Sequence, residues 1–245
     1  MNIDRKNFVE GLTWDQVAQR LGNEAMAIIP VGSGCKQHGF HMPMGADRIQ
    51  AEWFSALIST KIDAVVWPTL TYGFYPAFVA YPGSISLSCA TFEAVVGEIV
   101  DALTAYGARR ILILDTGLST GAPIANVLAR LKRPESIKHL AIYSGPHFLE
   151  AASKLSRQSH GSHADEIETS IMLALAPQIV DMTRAQASEP LIDGPQAGPL
   201  NWDDPASANY SASGSFGDPS LASKDKGQVL IDAIVEDLLA EFNIG

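Results

Sequence analysis

Short apolar runs alternate along the chain with segments whose apolar residues recur at helical spacing. Thr13-Trp14-Asp15-Gln16 reads as a capping box and Gly22 as a stop, which predicts a short helix over 14–21. Ala25 to Val31 is an apolar run ending in Gly32-Ser33-Gly34, the pattern of a buried strand feeding a loop. Ile49, Trp53, Leu57 and Ile58 predict a helix over about 46–60, and Ile62 to Trp67 follows as a second buried strand. Thr91 is placed to cap a helix running to Tyr106, Gly107 ends it, and Ile111 to Leu114 predicts a third strand. A helix over about 123–131 and a fourth strand at Leu140 to Tyr143 repeat the alternation. Two more helices are predicted at Glu166 to Leu175 and Ser223 to Phe242, the last with Val229, Ile231, Ile234, Val235, Leu238 and Leu239 crowded on one face.

Strand and helix in turn imply right-handed crossovers and a mainly parallel central sheet covered on both faces, an α/β three-layer sandwich. At 245 residues the chain suits one such domain over 1–245. Residues 68–88 form a long connection rich in Pro, Gly and aromatics, the kind that lines a site. Trp67, Tyr72, Phe74, Tyr75, Phe78 and Tyr81 suit either a pocket wall for a flat ligand or a subunit interface. The stretch at about 186–219 has many Pro, Gly, Ser and Asn and few aliphatics, and reads as an irregular lid or interface segment of the same domain.

Charge narrows the function. Lys and Arg number 17 against 27 Asp and Glu, a net charge of −10 that opposes a phosphate backbone and argues against a nucleic-acid partner. The amino terminus leads into no apolar signal region and no run is long enough to span a bilayer, so a soluble cytoplasmic protein with no membrane partner is expected. Cys35 and Cys89 are too few for a disulfide framework.

After the first strand the chain reads Gly34-Cys35-Lys36-Gln37-His38-Gly39-Phe40-His41-Met42-Pro43-Met44-Gly45-Ala46-Asp47. Two histidines and an aspartate among loop-forming glycines can converge on one cation, since imidazole and carboxylate suit zinc or manganese; they can equally be loop residues that bind nothing. This segment resembles the Glu-Gln-His-Gly-x-His-Leu-Pro-x-x-x-Asp motif of the creatininase (creatinine amidohydrolase) family. Further stretches agree in order: Tyr81-Pro82-Gly83-Ser84-Ile85-Ser86, then His163-Ala164-Asp165-Glu166-Ile167-Glu168-Thr169-Ser170, then Gly217-Asp218-Pro219 with Lys226-Gly227. The resemblance spans about 25–240. It implies a creatininase-like fold, a small-molecule substrate, hydrolysis of a carbon–nitrogen bond in a non-peptide or cyclic amide, and a ring-shaped homo-oligomer, expected as a hexamer.

The resemblance also implies a two-metal centre, and here the chain departs from it. Lys36 stands where the family has its glutamate, and Gly117, in Asp115-Thr116-Gly117-Leu118-Ser119-Thr120, where it has a histidine. The expectation is therefore a reduced site with one divalent metal per subunit (zinc, manganese or iron) or none, with His38, Asp47 and Glu168 as ligands. Lys36, His163 and Glu166 are the expected catalytic groups: Lys36 steadies an oxyanion or simply pairs with Asp47, and His163 or Glu166 moves protons. His163 is also a candidate ligand, and Glu166 and Glu168 also suit a helix dipole. The alternative is a catalytically silent homologue that keeps the fold for binding or assembly. A serine hydrolase is a further alternative: Gly117-Leu118-Ser119-Thr120-Gly121 matches Gly-x-Ser-x-Gly, with His163 as base and Glu135 or Glu150 as acid.

Overall fold

The computed structural model describes residues 4–131, 136–188 and 198–242. Four strands, β1 (Met26–Val31), β2 (Ala64–Val66), β3 (Ile111–Asp115) and β4 (Ile137–Ala141), form one parallel sheet in the order β2-β1-β3-β4. β1 and β3 are buried along their whole length, which is why their sequences are continuous apolar runs rather than alternating ones. Successive residues still point to opposite faces. Met26, Ile28, Leu112 and Leu114 face one core, and Ala27, Ile29, Val31, Ile111 and Ile113 the other.

The first core is closed by α2 (Ala46–Lys61), α5 (Pro146–Leu155), α6 (Glu166–Leu175) and α7 (Lys224–Ala240), through Phe54, Phe148, Ile171 and Ile234. The second is closed by α1 (Trp14–Gly22), α3 (Cys89–Ala105) and α4 (Gly121–Leu128), through Leu21, Phe92, Val96 and Ile124. The three layers expected from the alternation are present.

The structure corrects several boundaries. Ser88, not Thr91, caps α3; its side-chain oxygen accepts the Thr91 backbone N–H at 3.1 Å. β4 begins at Ile137, three residues before the apolar stretch that suggested it, because register with β3 ends at Ala141 opposite Asp115. α5 has no counterpart in the sequence expectation. Pro146 stands at its first turn, where no intrahelical N–H is needed. The described part of the late segment packs down: Ser211 and Ser215 are buried, and short bridges join Asn201 to Tyr210 and His163 to Phe216. Residues 189–197 of that segment lie outside the described residues.

No helix among the described residues is long and apolar enough to cross a membrane.

Candidate functional site

From β1 the chain crosses to β2 on one side and later returns to β3 on the other, so the loops after β1 and β3 diverge at the carboxyl ends of the strands. Such a divergence opens a crevice in α/β sheets. Gly32 brings α2 to its edge. A Cβ there would lie 2.6 Å from the Asp47 carbonyl oxygen and 2.9 Å from Ala51 Cβ, so glycine lets β1 end against the first turn of α2.

Asp47, in that first turn, is fully buried. Its Oδ1 lies 2.8 Å from His38 Nε2 and its Oδ2 2.8 Å from Lys36 Nζ. His38 Nδ1 donates to the Lys36 carbonyl at 2.8 Å, in a tight loop that turns at Gly39 with φ 70°. Lys36 is 6 % exposed and its ammonium stands 4.8 Å from the Phe78 ring centre.

The second half of the site enters on α6. Asp165 caps the helix, its Oδ1 accepting the N–H groups of Ile167 and Glu168 at 2.9 and 3.1 Å. Ala164, at φ 46°, turns the backbone just before it, and its N–H donates to Glu168 Oε2 at 2.5 Å. His163 Nε2 donates to the Gln37 carbonyl at 2.8 Å, and its Nδ1 lies 3.4 Å from Glu168 Oε2. The His163 ring is 4.9 Å from that of His38 and 4.4 Å from that of Phe78.

One ligating atom each of His38, His163 and Glu168 lies within 4.8 Å of the others. Both imidazoles commit one ring nitrogen to a main-chain carbonyl, which leaves the other turned toward a carboxylate, as metal-binding histidines are commonly oriented. Burial drives His163 below the ordinary imidazole value against the pull of Glu168. For Glu168 burial works upward, but His163, then His38 and Lys36, outweigh it and keep the carboxyl ionised. Burial alone would also raise Asp47; Lys36 and His38 reverse this and hold it low. His163 Nδ1 and Glu168 Oε2 face each other across 3.4 Å, a spacing at which both can contribute to holding one cation. Two imidazoles and a carboxylate, buried and preoriented, fit one zinc or manganese ion.

Of the residues anticipated from sequence, Lys36, His38, Asp47, His163 and Glu168 come together. Asp47, expected as a ligand, has its two oxygens facing Lys36 and His38, and His163 joins the ligand-capable trio. Glu166, expected to move protons, points elsewhere. It pairs with Lys226 and accepts the backbone N–H groups of Arg157 and Gln158 at 2.7 and 2.9 Å. Ser119 donates to the Phe74 carbonyl at 2.6 Å; of its expected acids, Glu150 pairs with Lys154 on an exposed face and Glu135 lies outside the described residues. His41 lies one layer behind, bonded through Nε2 to Thr169 at 2.8 Å, and burial, then His38, lower it to about 4.

These groups open into a cavity of about 690 Å³ lined by Lys36, Tyr75, Phe78, Tyr143, His163 and Glu168 among others. A larger depression of about 870 Å³, between α3 and α4, is lined by residues such as Gly97, Asp101, Val127 and Arg130 and contains no histidine. His163 and Glu168 border the smaller cavity. Tyr143 and the Gln37 carbonyl were not anticipated. Tyr143, just past β4, donates to Gln50 Oε1 at 2.5 Å, and both roles depend on tertiary register rather than on any local motif.

The chain resembles known proteins over nearly its full length. A curated relative, creatinine amidohydrolase of Pseudomonas putida, is 27 % identical over 258 residues, covering 96 % of each chain. Another, 3-dehydro-scyllo-inosose hydrolase of Thermotoga maritima, is 26 % identical over 257 residues, covering 94 % of this chain and 81 % of the relative. The solved structure designated "Creatininase Mn" superposes with a TM-score of 0.80 at 25 % identity, covering 96 % of this chain and 97 % of that one. The family model for creatinine amidohydrolase matches residues 10–242, and the chain accordingly belongs to the creatininase family.

Proposed function

We propose that this chain is a hydrolase of a non-peptide carbon–nitrogen bond in a small molecule, working with one divalent cation held by His38, His163 and Glu168. The observation that carries the reading is the meeting of those three ligating atoms within 4.8 Å, in a buried site whose imidazoles are already oriented. Such a cation, when bound, supplies a Lewis acid and an activated water at neutral pH.

The chain's own groups do the rest. Lys36 places a positive charge at the wall of the cavity, where charge developing on a carbonyl oxygen is stabilised in a low-dielectric setting. Asp47 holds that ammonium in place, and the His38 ring is oriented through its Nδ1 bond to the Lys36 carbonyl. Phe78 covers His163 and Lys36 and limits access of bulk water. The substrate need not be creatinine: the two curated relatives carry the names of different substrates.

Elemental analysis of protein purified without chelator tests the reading. About one equivalent of transition metal per chain is expected, and Glu168→Gln and His163→Ala should each lose most of it, since removing one of three protein ligands weakens a site by about tenfold or more. A metal-free wild type that also takes up no zinc or manganese on dialysis would favour the silent homologue instead.

A further inference from the structure

Two leucines from separate elements stand exposed on the cavity that holds His163 and Glu168. Leu118, in the loop after β3, is 71 % exposed, and Leu149, on α5, is 53 % exposed; both belong to the cavity lining. A single exposed leucine calls for no explanation, but apolar side chains that converge on one concavity mark a place where an apolar group is bound. The lining holds more of the same kind. The Phe78 ring centre lies 4.4 Å from that of His163, Phe148 lies 5.4 Å from the Tyr143 ring, and Ile167 and Leu200 border the same space. Small residues, Ala152 and Ser153, follow Leu149 by one turn and leave room in front of the helix.

Most polar side chains of this wall are engaged within the protein. Ser119 donates to the Phe74 carbonyl at 2.6 Å, Thr116 to the Val31 carbonyl at 3.1 Å, and Tyr143 to Gln50 Oε1 at 2.5 Å. Gln158 gives its Nε2 to Asp165 at 2.7 Å and takes the N–H groups of Glu166 and Asp218 on its Oε1. His160 bonds Ser159 and the Ser188 carbonyl. Ser153, Ser156 and Ser162 complete the set, and none of them is buried. Away from Lys36, His163 and Glu168, a bound molecule therefore meets apolar surface and few fixed polar partners. A charged or hydroxyl-rich group placed there would lose hydration without replacement.

We propose that the molecule hydrolysed carries an apolar group of about ring size, held against Leu118 and Leu149 while its amide lies at the ligand trio. This deepens the hydrolase reading above and rests on it for the reaction, though not for the apolar contact. A cavity of about 690 Å³ is in the range that takes a ring and an amide together. Such a group is held by the apolar area it removes from water, so affinity follows its size more than its hydrogen-bonding capacity.

Titration of the full chain with benzamide, and with acetamide as the same amide without a ring, tests it by ligand-detected nuclear magnetic resonance with and without added zinc. Benzamide should bind about tenfold or more tightly than acetamide in both conditions, because neither leucine is a metal ligand. Leu149→Ser and Leu118→Ser should each lower that ratio by about threefold or more, with little change in Tm, since both side chains already lie largely in water. Failure to take up zinc, with the ratio and its loss in the serine variants intact, would sink the metal reading and still support this one. A ratio near one, or a ratio that neither variant changes, overturns the proposal. Sedimentation velocity identifies the competing occupant: a smaller assembly in either variant with an unchanged ratio assigns the leucines to a contact between copies of the chain, which also overturns it.

Discussion

Lys36 is the residue on which this chain differs most from what the family resemblance implies. A buried ammonium beside Asp47 both neutralises that carboxylate and repels a divalent cation at the same place. Lys36→Glu would set a second carboxylate next to Asp47, an arrangement stable only with a cation between them. Metal content by elemental analysis should rise above that of the wild type; no rise would mean that the ammonium is not what keeps a further ion out. At this scale the motif residues were legible because they cluster in sequence around glycines that turn the loop. Glu166 was given a proton-moving part beside Glu168 as ligand, although both suit the first turn of a helix and only the position of Lys226 shows which carboxylate is occupied elsewhere. Tyr75 and Phe78 stood out only as members of an aromatic group. Their selection depends on how the long loop folds over the sheet.

At the scale of elements, β1, β3 and the helices between them were legible because deep burial imposes long apolar runs. β4 was displaced because it pairs only with β3 and carries Lys138 and His139 within it, so its pattern is not that of a core strand. α5 was missed for a related reason: Gly145-Pro146 signals a turn as readily as a helix start, although Phe148, Ala151, Ala152 and Leu155 recur at helical spacing. This helix is held from outside its own sequence. Asp237 on α7 accepts the backbone N–H groups of His147 and Phe148 at 3.0 and 2.9 Å, and the His147 ring at 2.7 Å. The Asp237 bond, with burial opposing it, raises His147 above its ordinary 6.5. A raised value in the folded state means that the contribution is complete below pH 6.5 and fades as pH rises through the raised value. The urea midpoint should therefore fall as pH rises from 6.5 through the raised value, and His147→Gln should flatten that part of the profile.

Across the whole molecule, the site depends on how closely α6 and α7 approach. A Cβ on Gly227 would overlap the Ser170 carbonyl and lie 2.9 Å from Ala174 Cβ, so alanine there must push the helices apart. Gly227→Ala should lower stability by about 1–3 kcal/mol in urea titrations and weaken zinc uptake as well, because Glu168 rides on the displaced helix. Gln37 ties the distant parts together. Its N–H donates to Ser84 at 3.0 Å, its carbonyl accepts His163 at 2.8 Å, its Oε1 accepts the Gly39 N–H, and its Nε2 reaches Gly214 at 2.8 Å, 177 residues away. Closing such long loops costs entropy that must be met before the contact repays it, which slows the formation of contacts of that span. During refolding from urea, far-ultraviolet dichroism should recover before a zinc indicator reports capture of the ion. A newly made chain would thus own its scaffold for a time before it could hold its reagent.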